Sequence, residues 1–123
     1  MNIELLYVKH SLPIKLSPEW DVSEIKKKTM PILADSQGAI RAALAEPVAV
    51  APLALEARGA RSACILICDI TRPVPNGLFL PILVRQLLDA GIAADKITIL
   101  VATGLHRPNE GDEMRELVGD DWV

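Results

Sequence analysis

The sequence predicts an α/β fold: a Rossmann-like parallel β-α-β core preceded by an amino-terminal β-hairpin. Residues 63–68 and 96–101 are short apolar runs separated by a stretch with helical periodicity, which is the pattern of a crossover unit. Half of the 123 residues are hydrophobic but only 3% are aromatic, so the core must consist of aliphatic side chains. This length suits one domain at most.

The amino-terminal segment predicts two short strands. Residues 3–8 and 12–16 alternate between apolar and polar side chains, and the expected junction lies near His10-Ser11. Pro13 indicates that the second strand is at an edge, because proline lacks the amide proton of a central ladder. Residues 17–34 contain Pro18 and Pro31 without a sustained period, so we expect mostly loop.

Two helices are expected before the core. Asp35 or Ser36 can cap a helix that ends near residue 45, with Ile40, Ala43 and Leu44 on its buried side. A second, short helix over residues 53–58 would end at Gly59 in the left-handed conformation.

The core itself begins with a strand over residues 63–68, expected to be covered on both faces. A helix over residues 78–90 follows, with a leucine stripe at positions 80, 83, 87 and 88, and Pro81 should lie near its first turn. The next strand, over residues 96–101, completes a right-handed crossover. A last helix over residues 110–118 would be capped by Asn109.

Two parallel strands are too few for a covered sheet, so we expect the sheet to be incomplete. The chain is therefore interpreted as an amino-terminal fragment of a longer protein, or as one that borrows strands from a partner. Cys64 and Cys68 should share one buried face of the first core strand as packed free thiols.

Charge and hydropathy exclude some classes of function. A net charge of −3 gives no electrostatic footprint for nucleic acid or an anionic membrane. No apolar stretch approaches the roughly 20 residues of a membrane span, and Glu4 stands where a signal peptide would be basic. We therefore expect a cytoplasmic protein. The sequence also lacks a dinucleotide fingerprint, a P-loop, a nucleophile elbow and a cluster of metal ligands.

Two polar loops follow the two core strands, Asp69-Ile-Thr-Arg-Pro-Val-Pro-Asn76 and Thr103-Gly-Leu-His-Arg-Pro-Asn109. Parallel strands open their carboxyl ends on one rim, where α/β proteins bind ligands. Arg72 offers a fork of donors for a carboxylate or phosphate, and His106 is a natural acid or base near neutrality.

Structural interpretations of these loops compete with the functional ones. Asp69 could orient Arg72 or a ligand hydroxyl, or it could cap its own loop while Arg72 pairs with it at the surface. His106 could simply bond a backbone carbonyl. Arg107 could pair with Glu110 or Glu113 of the next helix.

The same loops, with Glu113-Met-Arg-Glu-Leu-Val-Gly119, resemble the amino-terminal domain of the nickel-dependent lactate racemase family. The resemblance extends from about residue 7 to residue 119 and is densest after residue 62. It implies that residues 1–123 are the amino-terminal part of a catalytic domain. Within it, residues 1–61 would form the hairpin, loop and first helices, and residues 62–123 would form the core with both active-site loops.

The resemblance further implies an isomerase that moves a hydride from a 2-hydroxy acid to a nickel pincer pyridinium mononucleotide and back. His106 matches one catalytic acid/base, and Arg72 matches a residue that holds the substrate carboxylate. The positions implied to contact the cofactor are Asp69, Thr71, Thr103, Gly104 and Arg107. The second histidine, the tethering lysine and the nickel ligand would lie in the missing carboxyl-terminal region, so this chain is assigned no metal ligand and should be inactive alone. Leu105 replaces a threonine of many relatives.

A non-catalytic α/β module that binds a carboxylate or phosphate is the alternative function. An oxidoreductase with an organic cofactor is a third hypothesis, disfavoured by the missing dinucleotide loop. A homo-oligomer is possible on any of these hypotheses.

Overall fold

The computed structural model describes residues 1–7 and 10–123. Backbone contacts divide the chain into two compact units, Met1–Pro31 and Ile32–Val123, which are described separately below. The division after residue 61 expected from the sequence stays a prediction. In the part of the chain described, no helix is both long enough and apolar enough to cross a membrane.

The first unit contains the predicted β-hairpin. Strand β1 (Asn2–Tyr7) pairs antiparallel with β2 (His10–Lys15), and Leu5 lies opposite Leu12. The predicted junction near His10-Ser11 is wrong, because both residues belong to β2, where short polar side chains are tolerated on an exposed ribbon. The predicted end of the first strand at Val8 lies outside the described residues. Residues 17–34 form no helix or strand, as predicted.

The second unit contains the predicted β-α-β core. Strand β3 (Ala63–Cys68) pairs in parallel with β4 (Ile97–Ala102), in a register that sets Cys68 beside Ala102. The long helix of the crossover spans Asn76–Asp89 and begins two residues earlier than predicted. Pro81 is therefore inside this helix rather than near its first turn. A 3-10 turn, Ala94–Lys96, leads into β4.

Three further helices complete the unit, so we number the helices α1 (Ser36–Ala45), α2 (Leu53–Glu56), α3 (Asn76–Asp89) and α4 (Asp112–Val118). The Asp35 carboxylate accepts the Gly38 amide proton at 2.8 Å, which confirms the predicted cap of α1. Ala43 is exposed rather than buried, because the covered side of α1 is narrow. Helix α2 is shorter than predicted, although Gly59 beyond it is left-handed, with φ 77°.

The core lies between α3 and one face of the two-stranded sheet. Leu80 of α3 is fully buried against Ile67 of β3 and Leu117 of α4. A second cluster joins Leu87 and Ile92 to Ala57. Burial of these aliphatic side chains supplies most of the free energy that holds α3 on the sheet, and α3 in turn positions the loop after β3.

The opposite face of the sheet is exposed, which corrects two predictions. Strand β3 is covered on one face only, and Leu66 on its other face is 67% exposed. Cys64 and Cys68 do share a face, but it is this exposed one, and both are free thiols. The cause is that the helices of the described residues pack on the side of Ile65 and Ile67. An alternating strand tells which residues share a face, not whether anything covers it.

Candidate functional site

The two polar loops leave the sheet side by side. Cys68 and Ala102 are paired at the ends of β3 and β4, so the chain continues from both strands at one rim. A groove of about 380 Å³ lies there. It is lined by Cys68, Asp69, Arg72, Ala102, Thr103, Gly104, Leu105 and His106. Five of the sequence-predicted site residues, Asp69, Arg72, Thr103, Gly104 and His106, thus face one cavity.

Asp69 is the buried anion of this groove, with only 4% of its surface exposed. Its Oδ1 accepts the Thr71 hydroxyl proton at 2.7 Å and the Thr71 amide proton at 3.3 Å. Its Oδ2 contacts Nδ1 of His106. The Thr71 hydroxyl, and after it His106, hold the pKa of the Asp69 carboxyl below its usual range, because hydrogen bonds favour the charged acceptor. Asp69 is therefore a carboxylate at neutral pH.

His106 is fixed at one edge of its ring and open at the other. A carboxylate can only accept a hydrogen bond, so Nδ1 of the neutral ring carries the proton and Nε2 keeps a lone pair. Nε2 makes no hydrogen bond to the described residues, and about half of the side chain is exposed. The backbone is held by the His106 amide, which donates to the Thr103 carbonyl at 3.0 Å across Gly104, whose φ is 58°. The ring is therefore arranged to accept a proton from a molecule in the groove.

Arg72 enters the groove from the other loop. Its amide donates to the Asp69 carbonyl at 3.1 Å and its carbonyl accepts the Val74 amide proton at 2.8 Å, so the loop is a tight turn. Its guanidinium forms no ion pair with the residues described; the Asp69 carboxylate turns to Thr71 and His106 instead. The surface pair of Asp69 and Arg72 considered from the sequence is thus not formed. A guanidinium fork that is free of ion pairs with the described residues and lines the groove suits a carboxylate or phosphate.

Arg107 and Thr71 lie outside the groove lining. Arg107 pairs in a bidentate manner with Glu113, at 2.7 Å and 2.6 Å, which is one of the two acids considered from the sequence. This pair, with the Asn109 amide, lowers the pKa of Glu113 to about 2, and it raises the pKa of Arg107. Thr71 acts on the groove only by holding Asp69. The cofactor contacts expected of Asp69, Thr71, Thr103, Gly104 and Arg107 stay predictions.

Asn109 is the residue whose role the sequence did not disclose. It is 5% exposed and does not cap α4, because Gly111 occupies the capping position with φ 57°. Its Oδ1 accepts the Ile70 amide proton at 3.4 Å, and its Nδ2 donates to Glu113 at 3.2 Å. The spacing of four between Asn109 and Glu113 was the signal available, but it also fits an ordinary cap.

Cys68 was likewise missed as a groove residue. It lines the cavity because it is the last residue of β3, directly before Asp69.

Within residues 1–7 and 10–123, no group of three or more His, Cys, Asp or Glu side chains could hold a metal ion.

Comparison with known proteins gives concordant matches. The sequence model of the lactate racemase N-terminal domain family matches residues 7–123. Lactate racemase of Lactiplantibacillus plantarum is 40% identical over 71% of this chain and 20% of its own length. That of Thermoanaerobacterium thermosaccharolyticum is 31% identical over 99% of this chain and 29% of its own length. The solved structure of the latter apoprotein superposes with a TM-score of 0.74 and 31% identity, over 100% of this chain and 28% of that one. The chain thus spans between a fifth and a third of the length of these relatives.

Proposed function

The chain belongs to the lactate racemase N-terminal domain family, and we propose that it supplies one side of an active site that interconverts the stereoisomers of a 2-hydroxy acid. The observation that carries the proposal is the contact of His106 with Asp69 in the groove that Arg72 also lines. An oriented base and an unpaired guanidinium in one cavity match the two polar ends of a hydroxycarboxylate.

Arg72 is proposed to bind the substrate carboxylate. The guanidinium can donate two parallel hydrogen bonds to a carboxylate, and its loop is stiffened by the turn on the Asp69 carbonyl. Bound in this way, the substrate would place its α-carbon and hydroxyl toward the second loop. Leu105, which is fully exposed at the groove, leaves room there but offers no hydroxyl.

His106 is proposed to take the hydroxyl proton through Nε2. The α-hydrogen of a hydroxycarboxylate is a poor acid, so its removal as hydride is the easier route, and loss of the hydroxyl proton assists it. Asp69 stabilises the imidazolium that forms when Nε2 gains the proton. When the hydride returns to the other face, the substrate oxygen must regain a proton from a second acid/base group, which acts as the base for the opposite enantiomer and which we assign to the remainder of the full-length protein.

A nickel pincer nucleotide, when bound, supplies the hydride acceptor. The donor set of the described residues does not fit its metal, because the only histidine in the groove is engaged by Asp69 and no cluster of ligands surrounds it. We therefore assign the nickel ligand to the remainder of the full-length protein, where the family resemblance also implies the lysine that tethers the cofactor. The work that this chain is proposed to do is limited to substrate binding and proton transfer.

The test uses full-length protein loaded with cofactor and each enantiomer of lactate and of longer 2-hydroxy acids. Chiral chromatography should show interconversion by the wild type. Arg72→Ala should lose roughly 10- to 150-fold in kcat/KM, the equivalent of hydrogen bonds to a charged group. His106→Ala should lose about 10²- to 10⁴-fold in kcat. Arg115→Ala on α4 is a matched control, because this side chain lies outside the groove.

A second measurement separates hydride transfer from proton abstraction. In D₂O the product should carry no deuterium at the α-carbon, since the same hydrogen returns. Deuterium at that position would overturn the hydride route but not the isomerase. Wild-type rates in both groove variants would overturn the site assignment. Carboxylate binding without interconversion by the loaded protein would favour the non-catalytic module.

A further inference from the structure

The contact between Asp69 and His106 is one side of a closed ring of hydrogen bonds and chain neighbours. Asp69 is followed by Ile70, whose amide donates to Asn109 at 3.4 Å. Asn109 donates to Glu113 at 3.2 Å. The ring is closed by Arg107, which is bidentate to Glu113 at 2.7 Å and 2.6 Å and directly follows His106 in the chain.

We propose that Asn109, Glu113 and Arg107, here called the brace, are positioning residues that hold the His106 ring against Asp69 for proton transfer. The proposal rests on the proposed function for its catalytic consequence. It adds a role for three residues that do not line the groove.

The geometry of Asn109 supports this role. A 5% exposed amide is costly to bury unless both of its ends find partners, and here one end bonds the first loop and the other bonds α4. Asn109 therefore joins the backbone beside Asp69 to the helix that follows the second loop. No aliphatic residue could form both bonds.

The ion pair between Arg107 and Glu113 supports the positioning role of the brace in a different way. The side chains of Arg107 and Glu113 are 72% and 35% exposed, so the pair adds little to overall stability. Two parallel hydrogen bonds nevertheless fix the direction of Arg107, and its neighbour His106 must reach Asp69 from that backbone. Since a misplacement of about 1 Å costs a catalytic group roughly 10²-fold, such a pair can matter for rate without mattering for folding.

Glu113→Gln in full-length protein is the informative variant. In one orientation the glutamine amino group faces Arg107 Nη2, and in the other it faces both Arg107 Nη1 and the Asn109 amide, so at least one bond of the brace is lost. We expect kcat to fall about 10-fold with KM changed less than about twofold, because Arg72 is untouched. Arg107→Ala, Glu113→Ala and their double variant should show non-additive losses, as expected for one unit. Asp112→Asn and Arg115→Ala remove an exposed pair on the same helix and should leave kcat unchanged.

A spectroscopic readout tests the position of the ring itself. In ¹⁵N-histidine-labelled full-length protein, the downfield Nδ1 proton of His106 is identified by its loss in His106→Ala. It should weaken through faster exchange in Glu113→Gln and persist in Arg115→Ala. An unchanged signal or an unchanged kcat in Glu113→Gln would overturn the brace. If the wild type interconverts no hydroxy acid, the proposed function fails. The brace is then tested by the Nδ1 proton signal alone, which should still weaken in Glu113→Gln.

Discussion

Replacement of Asp69 by asparagine changes the carboxylate whose two oxygens accept the hydrogen bonds of Thr71 and His106. Three donors converge on the carboxylate: the Thr71 hydroxyl at 2.7 Å, the Thr71 amide at 3.3 Å, and Nδ1 of His106. An asparagine side chain has one oxygen and one amino group. If the oxygen stays with Thr71, the amino group faces His106 and forces Nδ1 to become the acceptor, which leaves the proton on Nε2.

The other orientation is no better. An oxygen turned to His106 would point the amino group at both Thr71 donors, in a place that is 4% exposed. The first orientation therefore prevails, and the ring loses its function as a base. General acid–base catalysis contributes about 10²- to 10⁴-fold, so Asp69→Asn should lower kcat by that factor.

The assay is the initial rate of interconversion in both directions by cofactor-loaded full-length protein. Asp112→Asn is the matched control, since it makes the same charge change at an exposed position that pairs with Arg115. The control should stay within about twofold of wild type. A rate for Asp69→Asn equal to that of the control would refute the tautomer argument.

Three further predictions concern stability, measured by urea unfolding of full-length protein. Leu80→Ala, at a side chain with no exposed surface, should lower the free energy of unfolding by about 2–5 kcal/mol, whereas Leu66→Ala, at a side chain that is 67% exposed, should cost less. Gly77→Ala would place its Cβ 2.4 Å from the Gly119 carbonyl oxygen, so the start of α3 and the end of α4 must separate; we expect a loss of about 1–3 kcal/mol, and no loss would contradict the close approach. The pKa of Glu113 is lowered from its ordinary 4.5 to about 2, so its stabilising contribution is complete above about pH 4.5 and lost toward about pH 2. Because solvent screens this exposed pair, the effect is small: Glu113→Gln should lose slightly less stability across that window than wild type. A larger loss in the variant than in wild type would contradict the ion pair.

The fold was predictable wherever the hydrophobic periodicity and the residues that start or end helices and strands indicated the same element. The apolar runs of β3 and β4 and the helix between them all lie where expected, to within two residues. The failures have local causes. His10 and Ser11 were interpreted as a junction because they are polar, but an exposed ribbon accepts polar residues in its strands. Asn109 was assigned as a cap by its residue type.

The sequence predicted which residues lie close together in the site, but not which of them bond to each other. Parallel strands bring Asp69 and His106 to one rim although 37 positions separate them in the chain. Which donor the carboxylate takes depends on rotamers and loop turns, and no pattern of residue types encodes these. The sequence therefore offered Arg72, a ligand hydroxyl or its own loop as the partner of Asp69, and it did not identify His106. The burial of Asp69 by the Thr71 turn decides the choice.

Asp69 acts on the two proposed functional groups through different atoms. Its carbonyl oxygen holds the Arg72 amide at 3.1 Å, whereas its carboxylate holds the His106 ring. A side-chain replacement leaves the carbonyl in place, so the turn that presents Arg72 should survive Asp69→Asn. Substrate binding and proton transfer can thus be separated at one residue: kcat should fall while KM stays near its wild-type value. A large rise in KM in this variant would mean that the carboxylate itself shapes the Arg72 loop, and the division of labour between the two loops would then be wrong.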